Sequence, residues 1–122
     1  MSHARKDLGA LGEELAAAAL QQAGLRIMAR NWRCPAGEID LVAEEKGVLA
    51  VVEVKTRRGR AGGAPEQAVD PWKQQKLCEL AEVLSEALGW DGPVRIDMVG
   101  VEFDDTGKLL RVSHWREAVD CW

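Results

Sequence analysis

An α/β or α+β domain built on a single sheet, in the order α-β-β-β-α-β-β, is predicted by three features of this chain. Two segments carry apolar residues at helical spacing, five runs are rich in β-formers, and the length suits one core. From about Arg5 to Ala23, Leu8, Leu11, Leu15, Ala18 and Ala19 fall on one side of a helix, and Gly24 stops it. The run LRIMARNW from Leu25 alternates Leu25, Ile27 and Ala29 against Arg26, Met28 and Arg30, as a half-buried strand does. EIDLVAE and VLAVVEVKT follow with Lys46 and Gly47 between them, which suggests a hairpin. The second helix has clear punctuation: Asp70 at the N-cap, Pro71 at the first helical position and Gly89 just past the end. Its apolar face is Leu77, Leu80, Ala81, Leu84 and Leu88. VRIDMVGVEF and KLLRVSHW flank the turn Asp104-Asp105-Thr106-Gly107 and complete the sheet.

No internal repeat or linker divides the chain, so residues 1–122 read as one domain. A chain of this size buries roughly 65% of the surface it exposes when unfolded, and so requires neither a disulfide framework nor a structural metal. Cys34, Cys78 and Cys121 are odd in number, widely spaced and without a CxxC pair, which reads as reduced thiols of a cytoplasmic protein. His3 and His114 stand at no ligand spacing from a cysteine, which argues against structural zinc. No stretch approaches the roughly 18 apolar residues of a spanning helix, and MSHARKDLGALGEE has charges where a signal peptide has its apolar core. A soluble protein without membrane contact is expected. The formal net charge of −4 argues against coating nucleic acid by bulk electrostatics, so any such contact is local. One local source exists in Lys55, Arg57, Arg58 and Arg60, beside the glycine-rich RGRAGGAP; taken alone, it reads as a solvated basic loop.

The informative residues are acids that interrupt apolar strands, because carboxylates normally avoid such runs. In VVEVK, Glu53 and Lys55 point to one face while Val52 and Val54 point to the other. If Lys46 and Gly47 are the two central residues of a tight turn, residues whose numbers sum to 93 stand opposite each other. Asp40 then faces Glu53, and Glu38 faces Lys55. Two like charges opposite each other destabilise a hairpin, and a hard divalent cation such as Mg²⁺ or Mn²⁺ would relieve them. Lys55 is no ligand for such an ion, but its ammonium can orient an attacking water and offset charge on a phosphoryl group.

Glu13 lies off the leucine stripe of the first helix, yet its neighbours Gly9, Ala16, Ala17 and Leu20 are small or apolar, so that face packs against something. Trp32, Trp72, Trp90, Trp115 and Trp122 are read mostly as core residues rather than base-stacking ones, since tyrosine is absent and Phe103 is the lone phenylalanine. Asp97 is read as the ion-pair partner of Arg95 or another arginine, and Glu44, Glu45, Asp104 and Asp105 as turn charges.

GxxGE at Gly9, Gly12 and Glu13, GEIDLV at Gly37 to Val42 and VVEVKTR at Val51 to Arg57 resemble the YraN family of bacterial nuclease-like proteins. That family belongs to the PD-(D/E)xK, restriction-endonuclease-like superfamily and is similar to archaeal Holliday junction resolvases. AVDPWKQQKL and RIDMVGV extend the resemblance over nearly the whole chain. It implies a restriction-endonuclease-like mixed sheet flanked by helices. It also implies Asp40 and Glu53 as metal ligands, Lys55 as the catalytic lysine, Glu13 as the helix glutamate of the site, and Lys73 as a lysine that meets a phosphate. Arg57, Arg58 and Arg60 join Lys73 as the nucleic-acid-binding set. The familiar proline before the first acid is absent, Ile39 standing there instead. The function so implied is a Mg²⁺- or Mn²⁺-dependent DNA endonuclease acting on branched or recombination-intermediate DNA, with a non-catalytic nucleic-acid-binding or complex-forming module as the alternative. A cut across both strands would require two sites and hence a homodimer.

Overall fold

A computed structural model describes residues 4–59 and 70–121, with side chains from Leu8 onward. Helix α1 (Ala4–Gln22) leads into three strands, β1 (Arg26–Cys34), β2 (Gly37–Glu45) and β3 (Val48–Arg58). Helix α2 (Pro71–Leu88) then precedes β4 (Val94–Phe103) and β5 (Leu109–Val119). The five strands form one mixed sheet in chain order. β3 and β4 are parallel and the other neighbours antiparallel. A parallel pair cannot be closed by a tight turn, and α2 lies within that crossover.

Each helix covers one face. Ala16, Ala17 and Leu20 of α1 pack with Leu41, Ala43, Ala50, Val52, Val99 and Phe103, whereas Leu77, Leu80, Ala81 and Leu84 of α2 pack with Ile39, Val42, Leu49, Val51 and Ile96. The α2 punctuation is as read from the sequence. Asp70 accepts the Lys73 N–H at 2.8 Å, Pro71 opens the helix, and Gly89 closes it at φ 62°. Lys46 and Gly47 both take positive φ, 49° and 83°, as a two-residue type I′ turn demands, and the Glu44 carboxylate accepts the Gly47 N–H at 2.9 Å.

Two expectations need correction. The buried side of α1 is only in part the leucine stripe: Leu8 and Leu15 pack against the core, but Leu11 is 45% exposed and Ala18 is exposed, while Gly12, Ala16, Ala17 and Leu20 are buried. Small residues let the helix axis approach the sheet closely, and that closeness, not side-chain size, selects the inner face. Cys78 and Cys121, read as reduced thiols, are joined in a disulfide with Cα atoms 5.7 Å apart, leaving Cys34 free among the described residues. Their 43-residue separation hides a proximity created when β5 returns the chain to the α2 face.

Candidate active site

The site lies where the β2–β3 hairpin splays. From the Lys46–Gly47 turn the ladder follows the predicted register, Glu45↔Val48 to Leu41↔Val52, and stops one position short of Asp40 and Glu53. There the Val54 N–H donates to Asp40 Oδ2 at 2.8 Å, so a side chain accepts a backbone hydrogen bond in place of the ladder. Side-chain alternation in β2 also fails at Asp40. Ile39 belongs to the α2-side core and Leu41 to the α1-side core, although residues two apart in a regular strand share a face. On β1 the pairs Arg30↔Leu41 and Trp32↔Ile39 flank Asn31, which has a φ of 51°. Both strands turn over at this level.

Glu53 keeps the regular alternation of β3, opposite in sense to Val52 and Val54, and its side chain is only 14% exposed. Lys73 Nζ, from the first turn of α2, lies 3.0 Å from Glu53 Oε2. The two acids meet: Asp40 is pushed up to about 7 from an ordinary 3.8, first by burial, against the pull of the Val54 N–H, and then by the Glu53 carboxylate, to which protonated Asp40 donates. Glu13 adds a weaker repulsion from α1. Its approach depends on Gly12, where a Cβ would lie 2.1 Å from Thr56 Oγ1. Among the described residues no three of Asp, Glu, His and Cys converge at metal-ligand spacing. The closely paired carboxylates are therefore Asp40 and Glu53, with Glu13 further out. The donor set still fits a hard divalent ion, which takes one or two carboxylates and completes its shell with water and phosphate oxygens.

Lys55 and Arg57 follow Glu53 at two-residue steps, hence on its face of β3, with Lys55 roughly 7 Å along the strand. Buried Arg57 Nε has no hydrogen-bond partner. Arg58 instead donates from Nε and Nη2 to the Asp105 carbonyl at 3.1 and 2.7 Å, holding the β4–β5 turn. Arg60 lies outside the described residues. Glu38 does not face Lys55, because the hairpin has already splayed; it pairs across β1 with Arg33 at 3.6 Å. Beside Glu53 a cavity of about 230 Å³ opens between α2 and β5, lined also by Gln74, Leu77, Met98, Trp115 and Arg116.

Asp97 is fully buried and takes hydrogen bonds from Arg95 Nε at 2.9 and 3.2 Å and from the Glu117 N–H at 3.1 Å, with His114 Nε2 at 2.8 Å. Burial alone would raise its pKa; these partners outweigh it and hold the carboxyl below its ordinary value. The Arg95 pairing is the one read from the sequence. The tryptophans divide. Trp32 and Trp90 pack against the α2-side core, Trp115 lines the cavity, and Trp72, at 69% exposed, is the exception to the reading of most of them as core residues. The available signal was its place on the helix, five residues before Leu77 and so off the stripe of Leu77, Leu80, Ala81 and Leu84.

Comparison with known proteins adds lineage to this geometry. A UPF0102 protein of Symbiobacterium thermophilum is 48% identical over 103 residues, covering 84% of this chain and 87% of that protein. One of Desulforamulus reducens is 40% identical over 122 residues, covering 98% of this chain and all of the relative, and one of Nocardia farcinica is 50% identical over 101 residues, covering 80% and 77%. Among solved structures, an EndoMS–dsDNA complex is similar at a TM-score of 0.43 and 22% identity, over 70% of this chain and 34% of that one. Pyrococcus furiosus SfsA in complex with Ca²⁺ is similar at 0.42 and 18%, over 96% and 65%. At such scores neither likeness bears on chemistry. The family model described as "Uncharacterised protein family UPF0102" matches residues 12–101, and with relatives of this depth over most of their length the chain belongs to that family, the one its Gly12–Glu13, Gly37–Val42 and Val51–Arg57 motifs resemble.

Proposed function

We propose that this chain is a Mg²⁺- or Mn²⁺-dependent DNA endonuclease hydrolysing phosphodiester bonds, with branched DNA among its candidate substrates. The observation that carries the reading is the Asp40–Glu53 contact: two carboxyl groups that repel when ionised are held together beside Lys73, with Lys55 on the same strand face. Asp40 and Glu53 would hold the ion, which when bound polarises a phosphoryl oxygen and lowers the pKa of water. The chain's own residues supply the rest. Lys55 orients the attacking water and offsets charge developing on the phosphoryl oxygens, Glu13 positions water from the α1 side, and Arg57 steadies the adjoining phosphate. Two such sites, hence two copies, would be needed to cut both strands.

The Lys73–Glu53 ion pair favours a second reading, a nucleic-acid-binding module without turnover, because an ammonium already neutralises one of the acids. A labelled panel of single-stranded, duplex, flap and four-way DNA incubated with Mn²⁺ separates the two. Cleavage of any member is expected, with Lys55→Ala reducing the rate by roughly 10²-fold or more while DNA binding stays within about twofold. Binding without cleavage selects the second reading, and full activity in Lys55→Ala removes that lysine from the mechanism.

A further inference from the structure

We propose that Trp72 is a stacking platform for one unpaired nucleobase of a DNA strand passing the Asp40–Glu53 site, so that the site takes DNA with a single-stranded or splayed segment. The inference rests on the nucleic-acid reading above and adds a substrate class to it. Trp72 is the second residue of α2 and, at 69%, the most exposed of the large apolar side chains among the described residues. An indole left in water gives no core stabilisation, and the three other described tryptophans are all at least partly buried.

The surroundings select the occupant. The next residue, Lys73, reaches Glu53 at 3.0 Å, so the indole leaves the helix one residue before the side chain that enters the acid site. One turn on, at i+4 and so on the flank of Trp72, Lys76 runs toward β2: a Cβ at Gly37 would lie 3.7 Å from Lys76 Cε, three residues before Asp40. Lys76 also leans toward Glu79 at 3.8 Å, an exposed pairing that a phosphate can replace. An aromatic face with the Lys76 ammonium on its flank matches a base beside its phosphate along a single strand. A continuous duplex does not fit it, because paired bases stack on both neighbours and offer a protein only their edges.

The test measures anisotropy of a labelled single-stranded oligonucleotide and of its duplex, in chelator, with wild type, Trp72→Ala and Trp72→Phe. Losing one stacked base should weaken single-strand binding roughly tenfold in Trp72→Ala, with Trp72→Phe retaining most of it and duplex affinity moving by less than about twofold. Unchanged single-strand affinity in Trp72→Ala overturns the proposal, as does an equal loss for both DNAs or no single-strand binding by wild type. So does a change in molar mass on light scattering with single-strand affinity intact, which would make the indole a contact between copies. Cleavage with Mn²⁺, measured in parallel, keeps the two readings apart. Wild type that binds through Trp72 yet cuts nothing removes the endonuclease and leaves the platform, whereas cleavage indifferent to Trp72→Ala together with unchanged binding does the reverse.

Discussion

At Asp40 two effects of opposite sign meet. The Val54 N–H favours the carboxylate, while burial, Glu53 and Glu13 favour the neutral acid, and the balance leaves Asp40 titrating near 7. A carboxyl raised in this way stabilises the fold in its protonated form. The contribution is complete below about 3.8 and is lost as pH rises through about 7. Asp40→Asn keeps the shape, removes the charge and can still accept from Val54. Metal-free Asp40→Asn should therefore be more stable than wild type at pH 8, by on the order of 1–2 kcal/mol, with the gain vanishing near pH 4. Urea titrations in chelator at both pH values check this, and equal stabilities at pH 8 would show that Asp40 is not under repulsion. The residue was legible in the sequence because acids inside β-forming runs are costly and therefore informative. Trp72 was legible only in part: it stands off the apolar stripe of α2, but its degree of exposure depends on what lies beside the first turn of the helix.

At the scale of elements, the hairpin register followed from one turn, Lys46–Gly47, and the observed ladder keeps it through Leu41↔Val52. Local rules carried no information about the splay beyond that pair, which depends on Asp40 replacing a backbone acceptor and on both β1 and β2 turning over. The inner face of α1 is rotated from the leucine stripe for a related reason: hydrophobic size marks the stripe in an ordinary amphipathic helix, but here Gly12 sets the distance. Glycine inside a helix normally costs about 0.5–1 kcal/mol relative to alanine, so Gly12→Ala would ordinarily stabilise. At Gly12 the new methyl would sit 2.1 Å from Thr56 Oγ1 and 3.2 Å from Thr56 Cβ and Cγ2, and a β-branched strand residue has few rotamers with which to yield. Gly12→Ala should then destabilise by roughly 1–3 kcal/mol, and adding Thr56→Ala should recover much of it. A double-mutant cycle by chemical denaturation reads the coupling; additive effects would mean that α1 does not seat on β3 through this contact.

Across the whole molecule the Asp40 site and the Asp97 network have opposite pH signatures. Glu45 at the end of β2, Arg95 and Asp97 on β4, and His114 and Arg116 on β5 form one hydrogen-bonded chain, and Asp97 also anchors the β5 irregularity at Glu117, which has a φ of 51°. Because Asp97 is held below its ordinary value, its contribution is present above about 3.8 and is lost as pH falls through its depressed pKa. Asp40 acts the other way, destabilising as pH rises from about 3.8 through about 7. The metal-free protein should thus be most stable on the acid side of neutrality, between those limits. A divalent ion held by Asp40 and Glu53 requires their ionised forms, so its binding competes with protons and strengthens as pH rises. Mass action then adds roughly 2.7 kcal/mol at a hundred times the dissociation constant, chiefly above pH 7, where the metal-free site is least favourable. Thermal melts from about pH 3 to about pH 9, in chelator and in millimolar Mn²⁺, should give two curves that coincide at low pH and separate above neutrality, with the maximum moved toward alkaline pH by the metal. Superimposable curves would show that the paired carboxylates bind no metal, and a chelator curve already maximal near pH 8 would show that the fold does not hold Asp40 protonated.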